Sequence, residues 1–240
     1  MDQAVSLSPF ERALRLGDDA LVLSHRLCEW CGHAPSLEID LALSNIGLDL
    51  LGQAQFFLAL AGELEGAGRD ADALAYHREE HEFTNLLLAE QPNGDFARSM
   101  VRQFFISTWQ EEKFARLAAE PDTRFAAIAA KALKEVTYHA NFAADWLVRL
   151  GDGTAESHRR LTEALAWCWC FTDELFEGEE SGLRPAWEAR LRPILNAANL
   201  DWPAPVRGLT GGRAGRHTEH LGPMLATMQY LQRCHPGAQW

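Results

Sequence analysis

The stretch from Ser36 to Glu65, SLEIDLALSNIGLDLLGQAQFFLALAGELE, constrains the fold more than any other part of the chain. Its apolar residues recur at helical spacing, no proline interrupts it, and no strand-like alternation persists. Ser36, with Asp40 close behind, opens it as a cap, and EGAGRDAD at 65–72 breaks it. The same pattern predicts helices over about 10–33, 72–90, 95–119 and 123–150. Further helices are expected from the GDGT loop (151–154) to about 176, around Ala186–Ala198, and over TEHLGPMLATMQYLQRC at the end. Pro35, PNGD at 92–95 and Pro121-Asp122 supply the punctuation. Long amphipathic helices on short loops favour antiparallel neighbours in a bundle. The expectation is one all-α domain over residues 1–240, with no internal repeat and no low-complexity tract.

Acidic residues number 34 against 22 basic, a net charge of −12. Such a surface repels nucleic acid and anionic membrane, so neither is an expected partner. No apolar run approaches the roughly 20 residues of a membrane span. MDQAVSLSPFER lacks the basic start and apolar stretch of a signal peptide, which predicts a cytoplasmic protein. There Cys28, Cys31, Cys168, Cys170 and Cys234 are reduced thiols. CEWC at 28–31 invites a redox or zinc reading, but no strand and βαβ context precede it. Zinc would need two more ligands, and Cys168 and Cys170 lie in the aromatic run AWCWCF, where packing explains them better.

Polar residues inside otherwise apolar helices need a reason. Glu29 stands near the end of the first helix, Asp49 among Leu48, Leu50 and Leu51, and Glu135 and His139 beside Ala132, Phe142 and Ala143. A bundle di-iron site takes one Glu from each of two helices and a Glu-x-x-His from each of two others. Four carboxylates neutralise two divalent irons, and fewer donors hold them loosely.

LCEWCGHAPSLEIDLALSNIGLDLLGQAQ, LLLAEQPNGDFA, ALKEVTYH and HTEHLGPMLATMQYLQR resemble the C-type subunits of bacterial phenylacetyl-CoA epoxidases. The resemblance implies a ferritin-like antiparallel helical bundle with extra C-terminal helices, serving as a structural subunit of a multicomponent ring epoxidase. It implies as partner a homologous catalytic subunit, A, that holds the di-iron centre, with further subunits in the complex and no cofactor in this chain. Against the catalytic relative's motif, Glu29 matches a first-helix Glu and His139 a motif His. Asp49 replaces a Glu, Gly52 a His and Val136 a Glu. The third-helix carboxylate has no placed counterpart, though Glu111 and Glu112 lie nearby in sequence. Glu29, Asp49 and His139 are expected to converge as the remains of a metal site. The competing readings are an oxygenase with a reduced ligand set, recruiting Glu135, Gln53 or Glu111, and a thiol or zinc protein.

Two further expectations concern surfaces. Arg213 and Arg216, on the glycine-rich GLTGGRAGRHTEHLG (208–222), are candidate contacts for a partner's acidic surface or for coenzyme A phosphates. His217 and His220 flank Thr218-Glu219, with Thr218 placed to cap the last helix. The second helix and the final one, with Leu221, Met224, Leu225, Met228 and Tyr230, are candidates for an apolar docking face, which the chain alone would cover by self-association.

Overall fold

The computed structural model describes residues 7–238; Met1–Ser6, part of the segment read for a leader, lie outside the described residues. Ten α-helices occur among the described residues. They are α1 (Pro9–Cys28), α2 (Leu37–Glu65), α3 (Ala71–Tyr76), α4 (Leu87–Glu90), α5 (Phe96–Leu117), α6 (Thr123–Gly151), α7 (Ala155–Trp169), α8 (Arg184–Ala197), α9 (Leu221–Met228) and α10 (Tyr230–Cys234). The described residues contain no strand, and the fold is the expected all-α, ferritin-like one. No helix among them is long and apolar enough to cross a membrane. The chain divides into two compact units: the described residues up to Pro92 together with those from Gly211 onward, and Asn93–Thr210.

In the first unit Ser8 and Glu11 cap α1 reciprocally, with Pro9 in the first turn, where a missing N–H costs nothing. α1 ends at Cys28, short of the expected 33, because the backbone tightens into i→i+3 bonds. Trp30 N–H donates to Leu27 O at 3.0 Å and Cys31 N–H to Cys28 O at 3.1 Å. Ser36 caps α2 as expected, and Gly66 closes it in the left-handed region at φ 69°. α1 and α2 run antiparallel in close contact: Gly17 lies against Leu58, and Ser24 Oγ donates to Gly47 O at 2.7 Å. A Cβ at Gly17 would sit 2.6 Å from Leu58 Cδ2, so only glycine allows this approach.

The helix expected over 72–90 is broken into α3, a 3-10 turn at Glu80–Glu82, and α4. Its backbone donors have other acceptors. Thr84 N–H donates to Asp18 Oδ2 at 2.9 Å and Leu86 N–H to Asp19 Oδ1 at 2.8 Å, so this segment wraps onto the carboxylates of α1. Asp18 also receives both terminal nitrogens of Arg78, one of them at 3.1 Å, and the pair is almost wholly buried.

The final helix begins at Leu221 rather than Thr218. Thr218 gives its N–H (2.7 Å) and hydroxyl (2.8 Å) to Glu90 Oε1 instead of capping. Gln229 Nε2 then donates to the carbonyls of Ala75 and Arg78, each at 3.1 Å, which anchors the junction of α9 and α10. Gly215, at φ 70°, packs where a Cβ would meet His81 O at 2.2 Å.

In the second unit Asp95, Asp122 and Thr154 cap α5, α6 and α7. α5 and α6 are antiparallel, with Phe96 edge-on to Trp146 at 5.2 Å. α5 is buried on nearly every side from Ser99 to Gln110. The helix expected to reach 176 stops at Trp169, where the chain turns into a 3-10 segment at Thr172–Phe176. Trp169, half-buried, stacks on Trp187 at 5.9 Å, and the fully buried Trp187 donates Nε1–H to Phe105 O at 3.0 Å, so its indole is core with its polar atom placed.

Candidate functional site

The metal-motif positions fall on both units. On the first, Glu29 caps the C-terminus of α1, and its carboxylate accepts from Arg26 Nη1 at 2.7 Å. Its side chain is 44% exposed, so it is a surface partner of Arg26 rather than an interior acid. Asp49 is half-buried on α2. Gly52, one turn on, carries no donor, and a Cβ there would meet nothing within 4 Å.

Gly52 shares its face of α2 with Leu48 and Phe56, four residues to either side, and with Leu41, three turns before it. Those side chains are exposed: Leu37 72%, Leu41 57%, Leu48 63%, Leu51 40% and Phe56 44%. The opposite face, with Leu43, Ile46, Leu50, Phe57 and Leu60, is core. A helix apolar on both faces has one face in reserve for a neighbour.

On the second unit Val136 and His139 lie one turn apart on α6, both fully buried. Val136 presents methyls where the motif needs a carboxylate. Glu111 of α5 faces Arg190 of α8 at 3.7 Å. Burial pushes its carboxyl pKa up, against the lowering effects of Arg190 and a hydrogen bond with Thr137. Glu135 pairs with Lys131 at 3.9 Å. The described residues contain no group of three or more His, Cys, Asp or Glu that could hold a metal ion. The side chains of Gly52 and Val136 carry no ligand atom, and the Glu29 carboxylate is turned to Arg26.

A family model described as phenylacetic acid catabolic protein matches residues 1–240. The chain belongs to this family. It is also similar to the C subunit of the 1,2-phenylacetyl-CoA epoxidase of Escherichia coli (strain K12), at 54% identity over 241 residues. The likeness covers 95% of this chain and 97% of the relative, so both compact units take part in it.

This member of the phenylacetic acid catabolic family turns Arg213 into its first unit. Arg213 grips Asp19 with both terminal nitrogens, at 2.9 and 2.8 Å, and donates to Thr84 O at 2.8 Å. Its side chain is only 10% exposed, which corrects the picture of a guanidinium presented to a partner or to coenzyme A. Arg216 is exposed. We expect Arg213→Ala to lower folding stability by about 3–5 kcal/mol, because Asp19 keeps a buried charge without its partner. Arg216→Ala should stay within about 0.5 kcal/mol. Urea unfolding of the two variants checks the contrast.

His217 lies between two acceptors, Glu90 Oε2 at 2.7 Å from Nδ1 and Phe83 O at 2.9 Å from Nε2. Both ring nitrogens must therefore carry protons, giving an imidazolium. Burial works against that charge, but the Glu90 hydrogen bond and charge and the Phe83 carbonyl outweigh it, so the pKa is raised above 6.5. A raised folded pKa stabilises fully below the unfolded value and loses that contribution as pH rises through the folded one. The stability gap between the protein and His217→Gln should thus be widest in mildly acidic solution below 6.5 and narrow as pH rises above it. Urea midpoints across that range check it. Asp18, Asp19 and Glu90 escaped the sequence reading; consecutive aspartates inside the apolar run RLGDDALVL were the available signal.

The expected docking residues of the last helix divide. Leu221, Met224 and Leu225 are buried, since α9 turns that face into its own unit, while Tyr230 is 62% exposed.

Proposed function

We propose that this chain is the structural, non-catalytic subunit of a phenylacetyl-CoA epoxidase complex in aerobic phenylacetate catabolism. It supports a homologous catalytic subunit, A, which carries the di-iron centre and performs the ring epoxidation. The observation that carries this reading is the similarity, along almost the whole chain, to the C subunit of an epoxidase. The donor set supports it, because a glycine and a valine cannot replace a histidine and a carboxylate. The exposed apolar face of α2 is the contact surface, packed against helices of the partner. A stable contact of this kind buries on the order of 2,000 Å² and is richer in apolar residues than the remaining surface. The complex works in the cytoplasm.

Co-expression with the catalytic subunit, followed by iron analysis of the separated chains and turnover assays, tests the reading. Iron should follow the partner, and the partner should need this chain for full activity. About two irons per copy of this chain, retained after separation, would overturn it.

A further inference from the structure

The geometry of CEWC in the first unit supports an activity separate from the proposed epoxidase role. Cys28 is the last residue of α1, and Cys31 N–H donates to Cys28 O at 3.1 Å, closing a tight i→i+3 turn. Such a turn holds its end Cα atoms within about 7 Å. A disulfide needs about 4.4–6.8 Å between the same atoms. The turn is held from both sides. Cys28 Sγ lies 3.4 Å from the place a Cβ on Gly47 of α2 would take. Beyond Cys31, Gly32 N–H donates to Asp40 Oδ2 at 2.7 Å and His33 N–H to Trp30 O at 2.8 Å. Both thiols are free and exposed, whereas Cys168 is buried. Partial burial raises the pKa of Cys28 against the lowering effect of a hydrogen bond with Ser24, and the neighbouring Cys31 and Glu29 add to the rise.

We propose that Cys28 and Cys31 form a reversible dithiol–disulfide site, closed by a hydroperoxide and reopened by a dithiol reductant. In the first step one thiol releases its proton and attacks a peroxide oxygen as the thiolate; the O–O bond breaks, the leaving oxygen takes up that proton, and a sulfenic acid and one water (or alcohol) result. In the second, the other thiol attacks the sulfenic sulfur, the S–S bond forms, and the hydroxyl leaves as water with the thiol's proton. Two electrons pass from the sulfurs to the peroxide. The closed ring encloses Glu29, whose carboxylate holds Arg26, and Arg26 in turn donates to Glu90 O and His220 O. Closure therefore acts at the clamp joining α1 to the C-terminal segment of the same unit. This inference is independent of the chain's place in an epoxidase.

The test treats the full chain with hydrogen peroxide in slight excess, then counts thiols after denaturation. The count should fall from five to three, and dithiothreitol should restore all five. The peptide carrying both Cys28 and Cys31 should be lighter by their two hydrogens. A Cys170→Ser/Cys234→Ser variant, with three cysteines left, should fall to one under the same treatment. A count that stays at five, a loss that dithiothreitol does not reverse, or linkage through other cysteines or between chains would overturn the proposal.

Discussion

Arg78→Met should lower the stability of the protein by about 3–5 kcal/mol, among the largest effects of any single substitution in the chain. Asp18 and Arg78 are buried together, with side-chain exposures of 0% and 1%. Removing the guanidinium strands a carboxylate in the interior, with only the Thr84 N–H and hydroxyl left to satisfy it. Arg78 also donates to Glu82 O at 2.9 Å and stacks on the Phe83 ring at 4.1 Å, so the 77–86 segment would loosen with it. Replacing both partners, Asp18→Leu with Arg78→Met, should recover part of the loss, because the cost lies in the unpaired charge rather than in the missing attraction. Equilibrium urea unfolding of the two single variants and the pair checks this; equal losses in all three would contradict it.

Leu41→Glu with Leu48→Glu should leave folding stability within about 0.5 kcal/mol per site, since both side chains are more than half exposed. Binding to the catalytic subunit should weaken by about a hundredfold, corresponding to roughly 3 kcal/mol from two central apolar contacts. Co-purification and titration with the partner measure the second quantity, and urea unfolding the first. Undiminished binding would move the contact off α2.

The long helices were legible in the sequence because their signals are local. The Ser36 cap, the glycine at the end of α2 and the apolar period of residues 37–65 all act within one element, and α2 came out as read. The segments read as helix and found broken, 72–90 and 218–234, are those whose backbone and side-chain groups answer to distant residues. Asp18 and Asp19 draw in Thr84 and Leu86, and Glu90 draws in Thr218. Nothing in a helical period announces a partner more than sixty positions away. The same limit explains Arg213: a basic residue among glycines looks exposed until the carboxylate it meets, Asp19, is located. The metal-motif positions were legible as residue types, since a glycine and a valine are poor ligands in any geometry. Their surroundings were not, and the open face around Gly52 emerged only from the packing of α2.

The central claim is that this chain supports chemistry it does not perform. Turnover of phenylacetyl-CoA by the assembled complex, with Glu29→Gln and Asp49→Asn both introduced into this chain, tests it most directly. Those changes remove the two carboxylates left at the motif positions while keeping their shapes. The account predicts an intact complex with turnover within about twofold of the unmodified one. An intact complex whose turnover falls by about a hundredfold or more, the scale of a lost catalytic group, would contradict it.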